Sequence, residues 1–164
     1  MALTPYCETE AVRATLGVNS IELSDSVLNL PIYSIGLQRE LSKLSPSLPA
    51  SFLQINALPE ASRTALEQSL FLSTRMFSVY ASARQVGASL GTTAASDIGD
   101  GKASVARFSG EPYKDVLERV DKWYYETKTS LLASIALYNG KLAPNPRAVV
   151  AFVKSQRTYD PITG

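Results

Sequence analysis

The segment from Glu111 to Asn139 constrains this chain more than any other. Along it Tyr113, Leu117, Val120, Tyr124, Thr127, Leu131, Ile135 and Tyr138 recur at steps of three or four, which sets them on one face of an α-helix. The opposite side carries Lys114, Asp115, Glu118, Arg119, Lys122, Glu126 and Lys128. The pairs Asp115/Arg119 and Glu118/Lys122 place the acid one turn before the base, but such pairs contribute only about 0.2–0.5 kcal/mol each. Stability must come instead from burying the apolar stripe, at roughly 1.5–3 kcal/mol per large side chain removed from water. The segment is a wall for other helices to pack against, and by itself it announces no chemistry.

With 164 residues, 45% of them apolar, the chain suits one domain with a substantial core and reads as an ordinary soluble protein. It contains no run of about 18 apolar residues, so no membrane span and no membrane partner are expected. The opening Met1-Ala2-Leu3-Thr4-Pro5 lacks the basic start and apolar stretch of a signal peptide, which points away from secretion. A single cysteine, Cys7, leaves no internal disulfide and suits a reducing interior; an intermolecular disulfide or a reactive thiol is the other reading. Histidine is absent, which removes Ser-His and Cys-His dyads, the His general base and the His metal ligand together, and one cysteine cannot build a thiolate cage. No catalytic residue, cofactor or metal is therefore assigned. A net charge of +1 gives no electrostatic reason for the molecule as a whole to hold nucleic acid.

In chain order, Thr4 before Pro5 reads as an N-cap with proline at the first helical position, and a short helix is expected over Pro5 to Leu16 with Gly17 as its C-terminal cap. Val18 to Leu23 is a connector, and Ser24 or Asp25 can cap a short turn that ends before Pro31. From Pro31 a second helix follows, with Tyr33, Leu37, Leu41 and Leu44 at helical spacing. Gly36 inside it costs roughly 1 kcal/mol against alanine, and marks either a surface position or close helix packing. Pro46 and Pro49 end that element, and Ser45 to Asn56 reads as a loop whose Phe52, Leu53 and Ile55 tuck onto the core. The longest helix runs from Pro59 to Leu90, with Gly91 as its stop. Leu72, Met76, Val79, Ala83, Val86 and Leu90 make one apolar stripe on it, and Leu66, Leu70, Phe77 and Tyr80 a second beside it. One neighbour cannot cover both, which suits a central bundle helix or one that also meets another subunit.

After Gly91 the residues turn small and polar. Gly99-Asp100-Gly101-Lys102, followed by Ala103, Val105 and Phe108, suggests a small hairpin or ordered loop. A phosphate loop is disfavoured because Ala103 stands where the hydroxyl residue belongs. From Gly140 onward, Pro144, Pro146 and Pro161 preclude a continuous helix, and Ala148 to Val153 favours a short strand. Lys141, Arg147, Lys154 and Arg157 face only Asp160, giving a basic arm with an apolar middle. The arm either frays or docks, on a partner or on the chain's own sheet edge. The carboxylate pairs Glu8/Glu10, Asp97/Asp100 and Glu118/Asp121 read as solvated faces and turns. Trp123, Tyr124 and Tyr125 lack the clustered Lys and Arg of a base-stacking platform and read as core and interface.

Three stretches carry a family likeness. They are Leu3-Thr4-Pro5-Tyr6-Cys7 with Glu10-Ala11-Val12-Arg13 and Leu16-Gly17-Val18; Gly99-Asp100-Gly101-Lys102 to Arg107-Phe108 before a long helix; and Tyr159-Asp160-Pro161-Ile162-Thr163-Gly164. Together the chain resembles the head-to-tail adaptor, or head-completion, proteins of tailed bacteriophages. The resemblance implies a non-enzymatic virion subunit that is assembled in the host cytoplasm and forms a ring, commonly a dodecamer, at the neck beneath the portal. It implies as partners other copies of itself, the portal protein, and the next connector or tail protein, with genomic DNA passing through the lumen without sequence-specific binding.

The expected fold is mainly α: a four-helix-type bundle over residues 1–140, a hairpin or loop insert at 92–110 between the two longest helices, and an extended docking arm at 141–164. Val150, Phe152, Val153, Arg157, Tyr159, Asp160 and Ile162 are the candidate portal-binding residues, and Phe77, Tyr80, Trp123 and Tyr125 the candidate subunit interface. A small helical nucleic-acid-binding or regulatory protein is the alternative, separated from the first by a salt-sensitive gel shift with duplex DNA. A third class, an enzyme using carboxylates and lysine, would need a buried carboxylate of raised pKa lining a cavity.

Overall fold

A computed structural model describes residues 3, 5–93, 97–99, 104–106 and 114–142, with side chains placed for 3, 5–89 and 114–140. The fold is mainly helical. Its helices are α1 (Thr9–Leu16), α2 (Asp25–Leu28), α3 (Pro31–Leu44), α4 (Leu48–Ala57), α5 (Ala65–Thr93) and α6 (Lys114–Leu142). Two three-residue strands, β1 (Asp97–Gly99) and β2 (Ser104–Ala106), pair antiparallel with Ile98 opposite Val105.

α5 is the axis of the molecule. α6 runs antiparallel along it, with Arg84 level with Asp121 and Ser73 level with Ser134, while α1, α3 and α4 cover its other sides. From Leu117 onward the stripe expected on α6 is the one it buries: Val120, Tyr124, Leu131 and Ile135 are enclosed, and Leu117, Thr127 and Tyr138 are half-buried, while Tyr113 lies outside the described residues. The two acid-first pairs on its outer face do not close. Asp121 of α6 reaches across to Arg84 of α5 instead, at 2.6 Å.

Several boundaries differ from expectation for identifiable reasons. α1 begins at Thr9, because the backbone N–H groups of Tyr6 and Cys7 bond to the Leu3 carbonyl in a separate turn. Gly17 caps α1 at φ 70°, a left-handed conformation that favours glycine. The loop expected over Ser45 to Asn56 contains α4: Pro49 lies in the first turn, where a missing N–H breaks no helical hydrogen bond. Pro59 leads only a single 3₁₀ turn, Glu60–Ser62. α5 starts after Thr64, whose N–H donates to the Glu67 carboxylate at 2.7 Å while the Glu67 N–H approaches the Thr64 hydroxyl at 3.4 Å, a reciprocal capping box. Gly91 does not stop α5, and Gly140 lies inside α6, so the arm expected from 141 begins no earlier than 143.

The two stripes predicted on α5 are also rearranged. Leu70, Phe71, Thr74, Phe77, Ser78, Ala81, Ser82 and Val86 face inward, whereas Leu72 and Met76 are each 51% exposed. Two of the small hydroxyl residues at inner positions, Thr74 and Ser78, have their polar atoms satisfied within the helix, and Ser82 Oγ meets Cys7 Sγ at 3.7 Å. Thr74 Oγ1 donates to the Leu70 carbonyl and Ser78 Oγ to the Thr74 carbonyl, both at 2.7 Å, so these side chains are buried without an unpaired donor. Gly87 serves the same tight crossing, since a Cβ there would stand 2.5 Å from Leu117 Cδ2 and 3.3 Å from Leu16 Cδ2. Gly36 faces α5 rather than solvent, with Gln85 Oε1 2.5 Å from the place of a Cβ. Below this crossing, Phe52 of α4 is sandwiched between Tyr6 and Phe71 at ring separations of 5.1 and 5.2 Å. The Arg63 guanidinium caps the stack, 4.2 Å from the Phe71 ring centre.

Candidate interaction surface

The four residues expected at a subunit interface divide between core and surface. Phe77 is fully buried and packs on Tyr124 at 5.3 Å, so it cannot meet another chain in this fold. Tyr80 and Trp123, one from each long helix, stack nearly parallel with ring centres 6.1 Å apart, and Trp123 remains 43% exposed. Tyr125 is exposed and meets Tyr124 edge-on. The Tyr80–Trp123 pair borders an open groove of about 330 Å³ between the end of α1 and the start of α6, lined also by Leu16, Gly17, Val116 and Arg119. Arg119 is the one charged side chain in that lining, and it pairs with no described residue.

Steps of four along α5 connect this groove to Met76 and Leu72, so one side of the helix presents a stripe that the described residues leave uncovered. Behind it the aromatic layer is held rigidly. Tyr124 donates its hydroxyl to Glu40 Oε2 of α3 at 2.7 Å, and Arg84 lies 4.8 Å above the Tyr124 ring. Burial, reinforced by the Glu40 carboxylate, pushes the Tyr124 phenol up to about 12.

Several polar groups near the N-terminus are engaged structurally. Glu8 pairs with Arg75 at 2.6 Å and Glu10 with Arg13 at 2.8 Å, so the first carboxylate pair is divided between two helices. Cys7 is buried with Sγ 3.7 Å from Ser82 Oγ, and burial pushes its thiol pKa up, which argues against the reactive-thiol reading. Among the described residues no cluster of acidic or cysteine side chains could hold a metal ion. No helix of the described chain is long and apolar enough to cross a membrane. Comparison with protein-family models, curated proteins and solved structures finds no match.

Sequence reasoning missed the role of Arg13, a buried cation. Its Nε donates to the Leu23 carbonyl at 2.7 Å, and its other nitrogens bond to Glu10 and Asp25. This guanidinium bond is the largest influence on Asp25 and holds its carboxyl below the usual range. The clamp fixes the connector after α1, where Asn19 Oδ1 accepts the N–H groups of Ile21 and Glu22 while Glu22 Oε2 accepts that of Asn19. The Asn-x-x-Glu spacing is a visible signal for such a reciprocal turn. It holds Ile21 outward, 93% exposed. The candidate arm residues Val150, Phe152, Val153, Arg157, Tyr159, Asp160 and Ile162, and the pair Asp97/Asp100 apart from its strand position, lie outside the residues whose side chains are described.

Proposed function

We propose that this chain is a structural subunit of a ring-shaped head-to-tail adaptor, non-enzymatic, which joins a portal to the next connector or tail protein and continues the channel for DNA. The observation that carries this reading is the apolar surface of α5 and α6 that the described residues leave exposed, namely Leu72 and Met76 together with the Tyr80–Trp123 groove. A lone domain gains nothing by exposing such a stripe, whereas neighbouring copies in a ring would remove it from water. The family likeness of the sequence supports the same reading. In it the bundle of residues 1–140 forms the wall of the ring, the insert at 92–110 is a small hairpin, and Val150 to Ile162 contacts the portal.

The test mixes purified full-length chain with a purified portal ring of the virion and follows it by sedimentation velocity and electron microscopy. The expected result is a ring of adaptor subunits on the portal, weakened by Leu72→Ser with Met76→Ser while the isolated subunit keeps its helical spectrum. A chain that sediments as a monomer and leaves the portal bare at every concentration overturns the proposal.

A further inference from the structure

Ile21 is the most exposed large apolar side chain among the described residues, at 93%. Its position is nevertheless fixed. Asn19 Oδ1 accepts the Ile21 and Glu22 N–H groups at 2.9 and 3.0 Å, and Glu22 Oε2 accepts the Asn19 N–H at 3.0 Å, so a closed turn presents the side chain in one place. Arg13 anchors the end of the same connector through the Leu23 carbonyl. A protruding residue that is already ordered loses little freedom when it docks. Beside it stands the exposed Glu22. One backbone N–H at Oε2 leaves the negative charge of that carboxylate in place, and no described cation pairs with it.

The Tyr80–Trp123 groove has the matching features. It is concave, with about 330 Å³ of space, its walls are mainly apolar and aromatic, and Arg119 is the one charge in its lining. Tyr, Trp and Arg are the residues that most often carry binding energy at protein interfaces. We infer that Ile21 of one subunit seats in the Tyr80–Trp123 groove of a second copy of this chain, with Glu22 against Arg119. The apolar contact supplies the affinity, and the exposed ion pair, worth little by itself, fixes which way round the two copies meet.

The two features cannot meet within one subunit. Arg13, which holds the connector, and Thr15, which lines the groove, are two residues apart on α1 and so point about 200° apart round the helix. Ile21 and the groove therefore lie on different sides of α1, and each needs a different neighbour. Such a contact is head-to-tail, with one surface meeting an unlike surface, and it makes a ring when its rotation closes. The inference rests on the assembly reading and adds to the Leu72 and Met76 stripe the element that gives the interface a direction.

Disulfide trapping in full-length chains tests it. One chain carries Ile21→Cys and the other Ala14→Cys, at an exposed position of the groove lining. Cys7 is buried, and the parent chain serves as its control. Mixed at rising concentration under mild oxidation, the two variants should form a 21–14 bridge, identified by mass spectrometry, about tenfold faster than either bridges to itself, since burial of one isoleucine favours association by at least that factor. Glu22→Gln, which keeps an oxygen for the Asn19 N–H, should slow bridging several-fold in the Ile21→Cys chain and leave it unchanged in the Ala14→Cys chain; Arg119→Glu should do the reverse. No 21–14 bridge at any concentration, as when the chain's own residues fill the groove, would overturn the inference. So would equal bridging in the mixture and the single variants, or charge changes that act alike in both chains. Repeating the trapping with the portal ring present separates this inference from the adaptor reading. A ring on the portal without the bridge removes the contact and leaves the ring, whereas a bridge between free chains beside a bare portal keeps the contact and removes the adaptor.

Discussion

Replacing Phe52 by alanine tests whether α4 belongs to the core. Phe52 is 0% exposed and is held on both faces, by Tyr6 from the turn before α1 and by Phe71 of α5. The substitution removes the ring from a site that two other rings and the body of α5 already hemmed in, so collapse around the gap is restricted. A buried Phe→Ala change costs about 3–5 kcal/mol, with the lost ring pairs contributing within that range. Phe52→Leu keeps most of the apolar volume but neither stacking contact, and should cost about 1–1.5 kcal/mol. Leu53, its neighbour on the exposed side of α4, provides the contrast: Leu53→Ala should cost less than about 1 kcal/mol. Urea unfolding followed by far-UV circular dichroism measures all three, and with an m-value of about 2 kcal/mol/M the alanine variant's midpoint should fall by about 1.5–2.5 M. Fluorescence of Trp123, the chain's single tryptophan, supplies a second probe from the α5–α6 interface, and its transition should coincide with the first. If Phe52→Ala and Leu53→Ala destabilise equally, the Tyr6–Phe52–Phe71 stack does not tie α4 into the fold.

Two glycine substitutions should have opposite signs: Gly36→Ala raises stability by up to about 1 kcal/mol, because the flexible end of Gln85 can swing aside and the helix gains propensity. Gly87→Ala lowers it, because the crowding of Leu117 against Leu16 costs about 1–3 kcal/mol, more than the propensity gained; thermal melts should separate the pair by several degrees. Tyr124 has a raised folded pKa, so its contribution is complete below the ordinary phenol value near 10 and is lost as pH climbs through about 12. Ultraviolet titration should show one tyrosine ionising last, and Tyr124→Phe should abolish that step. Asp25 has a depressed folded pKa, so its contribution is complete above the ordinary carboxylate value near 4 and is lost as pH falls through the lower folded value. Asp25→Asn should therefore flatten the acid limb of the stability profile measured by urea unfolding, and an unchanged limb would remove the Arg13 clamp as a source of acid sensitivity.

The parts of the fold that were legible in the sequence are those where apolar residues alone mark the inner face. α6 keeps one strict stripe over its length, and α3 announces its start with Pro31, so both were readable. α4 was not, because Pro46 and Pro49 were read as stops although a proline in the first turn is compatible with a start. Arg13 was hidden for a different reason: its partners lie beyond the end of its own helix, and nothing in the local spacing shows that the connector turns back over it. At the candidate surface, aromatic character located Tyr80 and Trp123 but could not separate them from Phe77, whose ring points into the bundle.

The misreading of α5 links the fold to the proposed assembly. On that helix Thr74, Ser78 and Ser82 occupy the inside, and Leu72 and Met76 the outside. The Thr74 and Ser78 hydroxyls bond back to their own helix and Ser82 meets Cys7, and all three are small enough to let neighbouring elements approach closely, a demand that Gly87 meets in the same stretch. Close approach therefore explains the polar interior, but it leaves the exterior unconstrained. Solubility alone would favour charged or polar residues at 72 and 76, since their burial contributes little to this subunit's stability. That the apolar side chains stand at these outer positions, in line with Tyr80 and the Trp123 groove, is the arrangement a second surface requires. If Leu72→Ser and Met76→Ser left both monomer stability and ring formation unchanged, the outward stripe would have no bearing on assembly.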